Sequence, residues 1–125
     1  MKGDDEVIAA LNAVLTNELT AINQYFLHAE MCENWHYRKL ADHIRKESID
    51  EMKHAEALIE RILFLDGIPT MTEPMQLSVG ANVKAQLESD LVLEIAAVAM
   101  YNRFVQLARR GGQRLARTVR AASAG

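Results

Sequence analysis

The sequence predicts an all-α fold, an antiparallel helix bundle in which three long helices are recognisable. Three features point to it. Half of the 125 residues are hydrophobic and a quarter are charged, the balance of a helical domain with a packed interior. Only two residues are proline, Pro69 and Pro74, and they lie close together. Elsewhere, apolar residues recur every three or four positions, the repeat of a helix with one buried face. At this length the chain is one domain, large enough for a core though on the small side.

The first helix is expected from about Asp5 to Trp35. Asp4, Asp5 and Glu6 stand at its start, where acidic groups complement the positive end of the helix dipole. Its apolar row is Ile8, Leu11, Leu15, Ile22, Tyr25 and Ala29, and Glu18 falls in the same row. The second helix is expected from about Tyr37 to Leu65. Leu40, Ile44, Leu58, Ile62 and Leu65 form its row, interrupted by Glu47, Glu51 and His54. Asp66-Gly67-Ile68-Pro69 ends it, because glycine caps helices and proline cannot continue them.

Each of these helices spans roughly 40 Å, so the aperiodic stretch from 66 to about 82 has the length of the bundle to cross. A third helix begins near Val83 and carries Leu87, Leu91, Glu94, Val98, Tyr101 and Val105 in one row. It is expected to last to Ala108, with Gly111-Gly112 breaking it. The chain then divides into a helical domain over 1–108 and a short basic tail over 109–125, in which Leu115 and Val119 alone make a poor apolar face.

Charge divides at the same place. Residues 1–108 hold nine Lys/Arg and all seventeen Asp/Glu, a balance of −8, whereas the tail holds five arginines and no acid. An acidic body suits cations. The tail has no aromatic side chain to stack on bases, so nucleic acid is not the expected partner. There is no run of about eighteen apolar residues, so no membrane span is expected. The opening Met1-Lys2-Gly3-Asp4-Asp5-Glu6 lacks an apolar signal region, and the single Cys32 cannot close an internal disulfide; both fit a cytoplasmic location.

The polar insertions carry the chemistry. Glu51 and His54 are three residues apart, so on a helix both can reach one metal ion. Glu18 and Glu94 each interrupt an apolar row on another helix. A buried unpaired carboxylate costs several kcal/mol or gives up its charge, and three such groups with one imidazole are hard to explain as packing. Carboxylate oxygens with a histidine nitrogen suit iron or manganese. Glu18, Glu51, His54 and Glu94 supply three quarters of a carboxylate-bridged di-iron site.

Long stretches around these residues resemble bacterioferritin. They are Asn17-Glu18-Leu19-Thr20-Ala21-Ile22-Asn23-Gln24-Tyr25-Phe26-Leu27-His28-Ala29, Glu47-Ser48-Ile49-Asp50-Glu51-Met52-Lys53-His54-Ala55, Glu60-Arg61-Ile62-Leu63-Phe64-Leu65 and the run from Asp90 to Glu94. The resemblance covers residues 1 to about 108. It implies a ferritin-like four-helix bundle that forms two-fold dimers and assembles into a hollow shell. It also implies oxidation of Fe(II) at a di-iron centre and storage of the ferric mineral. By the resemblance, Glu18 is a terminal ligand, Glu51 a bridging ligand, His54 a terminal nitrogen ligand and Glu94 a terminal ligand of the second iron. Met52, one position past Glu51, is then an axial ligand of haem b shared between two-fold related subunits, with Leu19, Asn23 and Phe26 at a spacing that could wall the pocket.

The resemblance also implies a fourth long helix with a second Glu-x-x-His, and this part has no counterpart here. No acid follows Glu94 and no histidine follows His54, so the fourth helix is truncated or replaced by the basic tail, and a long apolar groove is left open. Two functions compete. One is an iron-oxidising storage subunit with haem. The other is a non-catalytic haem-binding subunit that co-assembles with a complete partner. His28 and His43 are expected at the surface or an interface, His36 after Trp35 in the turn between the first two helices is unremarkable, and Lys46 and Asp50 flank the motif on the solvent or cavity side, where a protonated lysine cannot bind iron.

Overall fold

The computed structural model describes residues 3–124, with side chains described over 3–111. Three helices account for nearly all of it: α1 (Asp5–Asn34), α2 (Arg38–Phe64) and α3 (Val83–Ala124). The expected element order and starts hold. Asp4 caps α1, its side chain accepting from the Glu6 amide at 2.8 Å, with Asp5 and Glu6 in the first turn.

The ends of α1 and α2 share one device. At the end of α1, the amides of His36 and Tyr37 donate to the carbonyls of Glu33 and Cys32; at the end of α2, those of Asp66 and Gly67 donate to Leu63 and Ile62. These are Schellman motifs, which need a left-handed residue just past the helix. His36 (φ 69°) and Asp66 (φ 58°) supply it. The expected glycine cap is therefore corrected: Asp66 makes the left-handed turn, and Gly67 serves close approach. A β-carbon at Gly67 would stand 2.8 Å from the Ile8 methyl.

The end of α3 also departs from expectation. The helix does not stop at Ala108 but runs through Gly111-Gly112 to Ala124. Each glycine costs about 1 kcal/mol in a helix, and no proline follows to force a stop. Within it, Val83–Gly111 is long and apolar enough to cross a membrane by length and composition alone. It contains no uninterrupted apolar run of that length, because Glu94 and Arg103 fall between Leu91 and Ala108. Polar contacts nevertheless bind α3 into the bundle. The Asn17 side chain donates to the Leu93 carbonyl at 3.3 Å, and Gln24 to Asp90 at 2.8 Å.

α1 packs against both other helices, and α2 and α3 do not pack on each other among the described residues. Two apolar clusters hold the bundle. At one end Val7, Leu11, Val14 and Leu15 meet Ala55, Leu58, Ile62 and Leu107. At the other, Ala21, Tyr25, Ala29 and Cys32 meet Ala41 and Ile44, with Val83 and Leu93 packed alongside. Between them every helix contributes polar groups: Glu18 from α1, Glu51 and His54 from α2, Glu94 from α3. The row expected to face the core on α3 is exposed instead: Leu91 is 55% and Val98 62% accessible. It borders the side where α2 and α3 stand apart, and none of the described side chains covers it.

Candidate metal centre

Glu18 reaches the centre because it lies on the α1 face that meets α2, one turn after Leu15 and one before Ala21; it is 3% exposed. Glu51 and His54 reach it from α2, one turn apart on the same face. His54 Nδ1 lies 3.1 Å from Glu51 Oε2 and 3.9 Å from Glu18 Oε2. One ligand atom from each of the three falls within 4.8 Å of the others, a group that could hold a metal ion. Two carboxylates converging on one imidazole, with no lysine or arginine between them, is a donor set for a cation. With its proton on Nδ1, His54 donates to Glu51, and a metal would take the place of that proton.

Glu94 stands across the open side. It lines a cavity of about 470 Å³ with Glu18, Glu51, His54, Val98 and Tyr101, and a second of about 320 Å³ with Glu47, Asp50, Glu51 and Lys53. The Tyr25 hydroxyl donates to Glu94 Oε1 at 3.5 Å. Burial, then the Glu94 and Asp90 carboxylates, push the Tyr25 phenol far above its ordinary range, so it stays a donor. Burial followed by Glu51 does the same more mildly for Tyr101. Glu47 is raised by burial, with His43 opposing and Glu94 and Asp90 adding to the rise. Burial first, with neighbouring carboxylates adding to it, thus favours the protonated forms of Tyr25, Tyr101 and Glu47 around the cavity.

All four sequence-predicted ligands line one cavity. Tyr101 and Glu47, expected only as members of the helix rows, also border these cavities, and His28 departs from expectation. That residue is fully buried, not at the surface. Its Nε2 accepts from the Gly80 amide at 3.1 Å, which leaves Nδ1 as the protonated atom donating to Asp90 at 3.0 Å. Gln24 donates to the same Asp90 oxygen and accepts from the Ser78 amide; Gln86 accepts from the Cys32 thiol and donates to the Gly80 carbonyl. A side chain at Gly80 would collide with the backbone of Ala85 and Gln86. The signal was present in α1 as a second row, Asn17, Ala21, Gln24, His28 and Cys32, running beside the apolar one. A helix packed on two neighbours buries two rows.

The remaining histidines sit outside. His43 is exposed and pairs with Glu47 at 2.7 Å. Met52 is 48% exposed, as are Ile49 at 48% and Phe26 at 52%, while Asn23 donates to the Met75 sulfur at 3.4 Å.

The profile of the ferritin-like domain matches residues 8–119. The bacterioferritin of Mycolicibacterium paratuberculosis is 53% identical over 94 residues, 75% of this chain and 59% of the relative. That of Streptomyces coelicolor is 46% identical over 109 residues, 87% of this chain and 65% of the relative. That of Brucella melitensis is 48% identical over 101 residues, 81% and 63% respectively. The chain therefore spans about three fifths of the length of the curated relatives it matches.

Proposed function

The chain belongs to the ferritin-like domain family, and from that premise we propose that it is a bacterioferritin-like subunit that takes up Fe(II) and oxidises it for storage. The observation that carries this reading is the convergence of Glu18, Glu51 and His54 within 4.8 Å, between two apolar clusters and facing Glu94. Iron is the substrate. Glu18, Glu51 and His54 would hold one ion, with Glu94 offering a carboxylate to a second. Each Fe(II) gives up one electron, so a pair reduces dioxygen by two electrons to hydrogen peroxide with the uptake of two protons. Carboxylates favour this direction because they bind the more highly charged Fe(III) more strongly. Tyr25 keeps its proton and steadies Glu94 by donating to it. Apolar clusters flank the centre on either side along the bundle.

The test is aerobic Fe(II) oxidation followed by ferric absorbance, with Glu51→Ala as control. Oxidation well above buffer, lost in the variant, is the expected result. A rate equal to buffer would overturn the oxidising reading.

A second reading rests on the face that holds Met52. Its thioether is exposed on the outer side of α2 while Phe26 and Ile49 present apolar surface to solvent, an arrangement suited to a flat apolar ligand such as haem b held between two subunits. The group would supply a redox-active iron, and Met52 would hold it from one side. On this reading the chain can serve as a haem-binding subunit that co-assembles with a complete partner, without oxidising iron itself. Haem titration with Met52→Ala tests it: an absorption band that persists unchanged in the variant would sink the assignment.

A further inference from the structure

Glu94 is not the only oxygen-bearing side chain that α3 brings to the metal centre. In its row Leu87, Leu91, Val98 and Val105 are aliphatic, and Glu94 and Tyr101 alone carry oxygen. Both border the cavity of about 470 Å³ that Glu18 reaches from α1 and Glu51 from α2. They face different ends of it. Glu94 also borders the neighbouring cavity with Glu47 and Asp50, whereas Tyr101 borders one of about 210 Å³ with His54, Leu58 and Phe104. Tyr101 therefore stands at the His54 end of the centre, and Glu94 at the Glu47 end.

Two further observations set this phenol toward the ion that Glu18, Glu51 and His54 would share. Side chains on a helix lean toward its N-terminal end, and from Tyr101 that direction leads back along the cavity toward Glu94. The Glu51 carboxylate is also close enough to act on the Tyr101 phenol, second only to burial. Tyr25 is placed differently. It is 1% exposed and its hydroxyl is engaged with Glu94, whereas Tyr101 is 40% exposed.

We propose that Tyr101 is a further ligand of this centre, its phenol oxygen joining Glu18, Glu51 and His54 on a ferric ion. The assignment rests on the metal-binding reading of the centre, not on oxidation of iron by this chain. It uses residues of α1, α2 and α3 only. As the phenol binds, its O–H bond breaks, an Fe(III)–O bond forms and the proton passes to solvent. No electron moves in this step. A bound trivalent ion reverses the local preference for the protonated phenol. A phenolate is a hard anionic oxygen donor, so it favours Fe(III) over Fe(II) and holds the ferric product at the centre.

The test loads Fe(III) as its nitrilotriacetate chelate under argon, so the chain need not oxidise the iron itself. A phenolate bound to Fe(III) gives a visible charge-transfer band, and excitation in that band enhances phenolate ring vibrations in the Raman spectrum. The full chain should keep iron through a desalting column and show both signals. Tyr101→Phe should lose them, and Glu51→Ala should lose the iron as well. The chain has three tyrosines, so Tyr25→Phe combined with Tyr37→Phe should keep the signals through Tyr101 alone. A band that survives Tyr101→Phe, a band lost in the double variant, or Glu51-dependent iron without a band would each overturn the proposal and leave the metal centre standing. A parent chain that retains no iron would overturn both. A band in a chain that oxidises Fe(II) no faster than buffer would support the phenol ligand and remove only the oxidising reading.

Discussion

Two polar clusters lie against the same helix, and their difference separates scaffold from site. Around His28 every strong group is answered within the chain: Asp90 receives His28 and Gln24, and the backbone of Ser78 and Gly80 answers the other ends. Around Glu18 the groups answer one another only in part: His54 meets Glu51 at 3.1 Å and Glu18 at 3.9 Å, and the Tyr25 hydroxyl donates to Glu94. Carboxylates from three helices border one cavity and share a single imidazole. Both clusters contain a histidine and a buried carboxylate, so composition does not tell them apart; closure of the hydrogen bonds does. A closed network fixes structure. An open one rich in carboxylates is a candidate cation site.

The largest effect should come from breaking the closed cluster. Asp90→Ala strands the Gln24 amide and the His28 N–H in the interior, and each lost partner costs about 1–3 kcal/mol. A loss of about 3 kcal/mol in urea unfolding is expected. Glu18→Gln, although equally buried, strands no donor and should fall within about 0.5 kcal/mol of the parent. Equal losses in the two variants would erase the distinction.

Added cation should act on the open cluster alone. At a hundred times its dissociation constant, Mn(II) should stabilise the folded chain by about 2.7 kcal/mol. Asp90→Ala should keep this increment on its lower baseline, and Glu18→Gln should lose most of it. An increment preserved in Glu18→Gln would move the cation elsewhere.

The smallest effect sharpens the comparison, because Tyr25 feels both clusters. Burial first, then Glu94 and Asp90, hold its phenol protonated beyond the ordinary value of about 10. The unfolded chain releases that proton as the pH passes about 10, and the folded chain does not. The stability it contributes is therefore whole below that pH and declines above it. The decline should be shallower in Glu94→Gln, measured by denaturation across alkaline pH.

Much of this was legible in the sequence. Helix starts at Asp5 and Val83 followed from the acidic first turn and from the end of the proline-containing stretch, and the four candidate ligands followed from polar residues set in apolar rows. The His28 cluster was not, because its partners Asp90, Ser78 and Gly80 lie 50 or more residues away and periodicity reports only neighbours on one helix. The run of α3 past Gly111 escaped for a related reason. Glycine lowers helix propensity without forbidding a helix, so a threshold on composition ends the helix where α3 continues. His36 looked unremarkable because nothing in its neighbourhood announces a left-handed residue other than the glycine usually found there.

The connection between α2 and α3 is held at its two ends and nowhere else in between so firmly. Near its start Asn12 grips the Ile68 carbonyl and the Thr70 amide, and near its finish Gln24 and His28 grip the amides of Ser78 and Gly80. Residues 71–77 between those anchors are exposed throughout. Covalent continuity across that span is consequently dispensable for holding the folded chain together. A protease that nicks it should leave two fragments that travel as one particle under native conditions and separate only in denaturant.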